Sequence, residues 1–150
     1  EQAIDLDANN LQAYYYLGLV RTITRQHLKA VDAYKEGLAC EPDHVLILNN
    51  LGWMHATSND TLLKDPKRAI DYAEKAVALT RRERPSFLDT LAVAYAANQQ
   101  FDRAIDTGDE ALANAQALGK EMMVKMLANR LANFERNQHL RRLRSRSGNE

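Results

Sequence analysis

Small and apolar positions recur along the chain at a fixed distance. Leu17-Gly18 and Leu51-Gly52 lie 34 residues apart. Twelve residues after Gly18 stands Ala30, followed by Tyr34, Gly37 and Pro42. A second copy opens at Val45 with Leu48, Leu51, Gly52 and His55, but its next small residue, Ala69, comes 17 positions after Gly52. Five extra residues have therefore entered within Ser58 to Lys64. Asp65-Pro66 then restarts a helix, since Asp accepts from free helical N–H groups and Pro is tolerated at the first helical position. Ala73 and Ala76 complete this copy. A third begins at Pro85 with Leu88, Leu91, Ala92, Tyr95, Ala104, Gly108 and Ala111, and Ala92 and Ala104 are again twelve apart. A unit recurring at this length predicts a repeat architecture, in which neighbouring copies stack and share one core.

Beyond the third copy, Gly119 reads as a helix terminator. Lys120 to Asn137 reads as one more amphipathic helix, with Met122, Met123, Met126, Leu127, Leu131 and Phe134 on its apolar face. Composition agrees with an all-α chain: six glycines and three prolines are few for 150 residues, and β-branched runs are missing. The single cysteine, Cys40, excludes an internal disulfide and a cysteine-based metal cluster, and suits cytoplasm and periplasm alike. No apolar run approaches the ~20 residues of a membrane helix. Twenty basic and twenty acidic residues cancel, so no global field points to nucleic acid or to an anionic membrane. The one asymmetry is local: residues 1–135 carry net −4 and residues 136–150 net +4. The arginines within 141–146 are flanked by serines and lack aromatics, so 138–150 reads as a basic, disordered, solubilising tail. Contact with phosphates on RNA or lipid is the lesser reading of that tail.

The order aromatic, Leu-Gly, small, aromatic, small, Pro resembles the tetratricopeptide repeat. With position 1 at Leu11, Tyr14 takes the large residue at position 4, and Leu17 and Gly18 take 7 and 8. Ala30, Tyr34, Gly37 and Pro42 fall on 20, 24, 27 and 32; only Arg21, at position 11, departs from the preferred aromatic. The resemblance implies an α-α superhelix over residues 1–137, built of about three helical hairpins at 11–44, 45–84 and 85–118. A partial N-terminal helix and a capping helix at 120–137 would flank them. Counting back 34 from Pro42 reaches Ala8, so Glu1 to Asp7 is expected to be the tail of an earlier repeat's second helix. The chain would then begin within a repeat of a longer array. The stretch from His55 through Tyr95 is similar to repeats near the C-terminal end of large bacterial tetratricopeptide proteins. Close crossing within each hairpin implies that Gly18, Gly52 and Ala92 face Ala30, Ala69 and Ala104.

In this family the first helix of each hairpin lines a concave groove through its positions 2, 5, 9 and 12. Those places hold Gln12, Tyr15, Leu19 and Thr22, then Leu46, Asn49, Trp53 and Ala56, then Ser86, Asp89, Val93 and Ala96. Tyr16, Asn50 and Thr90 border the same surface. The resemblance therefore implies a binding groove carried by Gln12, Tyr15, Leu19, Asn49, Asn50, Trp53, Asp89 and Val93. This wall is neutral, amide-bearing and partly aromatic, suited to a peptide with apolar side chains whose backbone bonds to Asn49 and Asn50. Family members that clamp a C-terminal carboxylate use cations where this chain has Tyr15, Ser86 and Thr90, so that subtype is not expected.

No catalytic constellation competes with binding. His27, His44, His55 and His139 have no metal-ligand spacing. Cys40 falls late in a second helix, at a place usually small and buried, and has no base partner. Asp102, Asp106, Asp109 and Glu110 read as a solvated face. The expectation is thus a non-catalytic scaffold that needs no cofactor or metal and binds a peptide or partner protein. The alternatives are a self-associating module, dimerising through an apolar N-terminal end at Ala3, Ile4 and Leu6, and an accessory domain of a larger enzyme.

Overall fold

Helix starts and stops are set by residues that cap or break them. The computed structural model describes residues 2–147, with the side chains of residues 10–145. Among these the chain forms seven helices and no strand: α1 (Gln2–Ile23), α2 (His27–Cys40), α3 (Val45–Thr57), α4 (Pro66–Leu79), α5 (Pro85–Ala97), α6 (Phe101–Ala117) and α7 (Glu121–Ser147). The all-α expectation holds. Asp65 caps α4 as expected, its carboxylate accepting from Arg68 N–H at 3.0 Å with Pro66 at the first helical position. Gly119 ends α6 at φ +64°, again as expected. Three other stops carry no glycine: Arg25 (φ 59°), Arg81 (φ 52°) and Gln99 (φ 60°) take the same left-handed conformation. Each is followed by a reverse bond that satisfies the helix end, such as Gln26 N–H to Arg21 C=O at 2.8 Å and Gln100 N–H to Tyr95 C=O at 2.9 Å.

Consecutive helices pack as hairpins, α1 with α2, α3 with α4 and α5 with α6. Successive hairpins stack through α2 on α3, α4 on α5 and α3 on α5, and α7 closes the stack on α6. Small residues permit this crossing. A methyl group at Gly52 would lie 3.3 Å from both the Ala69 carbonyl oxygen and Ala73 Cβ, and Ala30, Ala69, Ala92 and Ala104 are fully buried. Gly18 instead lies under a ring: a Cβ there would come within 2.3 Å of Tyr34. Tyr34, Ile47, Leu51 and Leu63 fill the core between the first two hairpins, and Leu48, Leu88, Leu91 and Ala111 fill the core running on toward α7. Leu38 and Tyr72 touch both, so the apolar interior is continuous along the stack. Away from the odd-numbered row, Tyr95 OH donates to Glu74 at 2.5 Å and Arg103 lies 4.0 Å over the Tyr95 ring, joining α4, α5 and α6.

Both ends differ from expectation. α1 runs unbroken from Gln2, so Gln2 to Asp7 is not the tail of a separate earlier helix, and Glu1 lies outside the described residues. The place that would hold a helix-breaking proline is Ala8, the best helix former, and nothing in Asn9-Asn10 stops the helix either. The side chains of Ala3, Ile4 and Leu6 lie outside the described ones. At the other end, α7 does not stop at Asn137: the segment read as a disordered tail continues the helix to Ser147. It is held against the start of α6. Gln138 and Arg142 donate to the Asp102 carboxylate, Arg142 at 3.2 Å, and Arg141 donates to the Gln99 carbonyl. Basic residues also suit the negative end of a helix dipole. Residues 148–150 lie outside the described residues.

Candidate functional site

Of the first helices, α3 and α5 pack directly on each other, while α1 meets α3 through single contacts such as Tyr15 with His44 and Thr22 with Met54. From α1, Tyr15 and Leu19 are half-buried and Gln12 is exposed. Tyr15 packs against His44, ring centroids 5.5 Å apart, and against Tyr16 at 5.4 Å. Burial, then the neighbouring Tyr34 and Tyr16, push its phenol above the ordinary tyrosine value. The three consecutive tyrosines diverge as helical geometry requires: Tyr14 turns toward Gly37 of α2, and Tyr16 is 58% exposed at the α1 edge. From α3 come Leu46 and Trp53, 36% and 37% exposed, and half-buried Asn49. Val93 of α5 is half-buried, packed on the core.

Two expected contact residues are occupied within the chain. Asn50 donates one of its two amide N–H groups to Tyr34 OH at 3.2 Å, which ties α3 to α2. Asp89 is only 6% exposed, and Arg130 of α7 forms an ion pair with its carboxylate. The same guanidinium lies 5.2 Å from the Trp53 ring centroid. Burial raises the Asp89 carboxyl above the usual carboxylate value, opposed by the hydrogen bond and charge of Arg130. Asp89 is therefore a buried partner of α7, and α7 closes the α5 end of the face. Asn49 presents a different case: its carboxamide oxygen is enclosed without a hydrogen-bond donor.

Sequence reasoning missed Arg130 and His55. The signal for the first was an acid inside the mostly apolar run from Phe87 to Ala92, which, where it is buried, favours a paired cation. His55 is 3% exposed and donates from Nδ1 to the Leu63 carbonyl at 2.7 Å, stacked on Tyr72 at 5.9 Å. Burial holds its imidazole below the usual histidine value, and Nε2 has no partner. Cys40, expected in a small buried place, is exposed at the last position of α2. The acidic strip of α6 is solvated at Asp106 and Asp109, while Asp102 meets Arg142 and Glu110 meets Arg82.

Trp53 also borders a cavity of about 300 Å³ between the end of α1, the start of α2 and the inserted turn after α3. Chemically the face offers apolar and aromatic surface with a few hydrogen-bonding groups. Among the described residues, no cluster of three His, Cys, Asp or Glu side chains could hold a metal ion. No helix among them is long and apolar enough to cross a membrane. No protein-family model matches the chain, and comparison with curated proteins gives no match.

Proposed function

We propose that the chain is a non-catalytic protein-binding scaffold of tetratricopeptide type, whose odd-numbered helices hold a peptide of a partner protein. One observation supports this reading: Tyr15 and Leu19 of α1 and Leu46 and Trp53 of α3 each stay partly open to solvent, and Tyr15 meets the start of α3 at His44. Partly exposed aromatic and aliphatic side chains on a rigid support are the anchors that peptide grooves use. The binding residues of this reading are Gln12, Tyr15, Leu19, Asn49, Trp53 and Val93, with Asp89 and Asn50 acting through the fold. A displayed random-peptide library selected on the immobilised protein tests it, counter-screened on a Tyr15→Ala/Trp53→Ala variant of unchanged helicity. Peptides that lose about tenfold or more in affinity on the variant support the groove. Peptides that bind both alike, or no enrichment at all, refute it.

A second reading, self-association, is favoured by Tyr16, Val20 and Ile23, which are 58%, 56% and 80% exposed and share one side of α1. Light scattering across a concentration series decides it. A mass that doubles in wild type and stays monomeric in Val20→Glu supports the dimer, and a constant monomer mass removes it.

A further inference from the structure

The inserted turn between α3 and α4 is a built wall rather than a slack connection. Asp60 N–H donates to Ser58 Oγ at 3.0 Å, and Leu62 N–H donates to Asp60 Oδ1 at 2.9 Å. Lys64 N–H returns to the Asp60 carbonyl at 2.8 Å, and Asp65 N–H reaches the His55 carbonyl at 3.1 Å. Leu63, 2% exposed, plugs the core while its carbonyl accepts from His55. One side of this wall bounds the cavity beside Trp53.

The cavity is rich in acceptors. Thr22 spends its hydroxyl proton on the Gly18 carbonyl at 2.8 Å, and Thr57 spends its own on the Trp53 carbonyl at 2.8 Å, so both offer a guest lone pairs. Asp60 lines the cavity, and its carboxylate, which accepts from Leu62 N–H, enters no ion pair among the described residues. α1 and α3 end at Ile23 and Thr57, so two negative helix C-termini lie at the cavity, against the single positive N-terminus of α2. The Trp53 ring forms a wall, and it already attracts one guanidinium, that of Arg130. Against these stands His27, the one lining side chain able to carry positive charge, at the start of α2.

We propose that this cavity is a pocket for a basic side chain, arginine or lysine, of the peptide lying on the odd-numbered helices, with Asp60, Thr22 and Thr57 as acceptors and Trp53 as the stacking wall. The proposal rests on the groove reading for its peptide. The pocket itself can be probed alone.

The chain has one tryptophan, so its indole N–H gives a single nuclear magnetic resonance signal located at the pocket. At matched ionic strength the probes are the N-acetyl methylamides of arginine, lysine, citrulline and norleucine. Arginine and lysine derivatives are expected to shift the Trp53 signal saturably, with citrulline and norleucine about tenfold or more weaker, or about 1.4 kcal/mol. Asp60→Asn, which keeps an oxygen for Leu62 N–H, should weaken the arginine probe about fivefold or more. Thr57→Val should weaken it as well, and Asp71→Asn, the same charge change on the exposed side of α4, should leave it unaltered. The pocket is overturned if citrulline or norleucine binds as well as arginine, if Asp60→Asn binds as wild type does, or if no probe saturates by about 100 mM. The two readings fail separately. Saturating probes with no selected peptides sink the groove alone, whereas selected peptides that need no basic residue, with silent probes, sink the pocket alone.

Discussion

Gly18 has no room for a methyl group, because three atoms of the fully buried Tyr34 ring would lie 2.3 to 2.7 Å from it. Helix propensity favours Ala over Gly by about 1 kcal/mol. Overpacking opposes it and wins here, since Tyr34 is enclosed and its hydroxyl is fixed to Asn50. Gly18→Ala should therefore destabilise the protein by about 1–3 kcal/mol in urea unfolding, and an unchanged or raised midpoint would contradict this packing. His55 makes a second prediction at this scale. Its imidazole is held below the unfolded value by burial, so the unfolded chain binds the proton more readily. Stability should fall as pH drops through the unfolded value of about 6.5 toward the lower folded one, by up to about 1.4 kcal/mol per pH unit for one proton. Comparing urea midpoints at pH 7.5 and 5.5 checks it: wild type should lose more stability than His55→Gln over that interval. Equal losses would show that His55 does not set the slope.

At the scale of elements, α7 is joined to the stack by the Arg130–Asp89 pair, whose side chains are 25% and 9% exposed. Removing the cation leaves a carboxylate enclosed by α5 and α7. Arg130→Met should cost about 2–3 kcal/mol, and Asp89→Asn combined with it should cost clearly less than the two single changes added together. Strict additivity in the unfolding free energies would mean the pair is not coupled. The helices and their order were legible because three small landmarks recur, Gly18, Gly52 and Ala92, with Gly52 at a close crossing and Gly18 under the Tyr34 ring. Pro66 and Gly119 likewise mark ends in residues whose backbone preferences are strong. The stops at Arg25, Arg81 and Gln99 were not legible, since a left-handed conformation on an arginine or glutamine is imposed by the reverse hydrogen bonds around it. The length of α7 was missed for a related reason. An arginine-rich segment is helical or not according to what it meets, and Asp102 and the Gln99 carbonyl lie 36 or more positions away in sequence.

Across the whole molecule, the proposed groove was legible as stripes on single helices but not in which of its residues the chain itself engages. The family resemblance implies that Tyr15, Leu19, Asn49, Trp53 and Val93 share one side. It carries no information on Asn50 turning to Tyr34, or on α7 swinging Arg130 across Asp89 and Trp53. What remains open is the α1–α3 part of the face, bordered by the Trp53 cavity. The most direct test is a methyl-labelled spectrum of the protein titrated with a library-selected peptide. The account predicts shifts concentrated at the methyl groups of Leu19 and Leu46, with Leu28, Leu79 and Leu118 unmoved. Shifts concentrated at those three outer leucines, or at Val20, would place the ligand elsewhere and contradict the central claim.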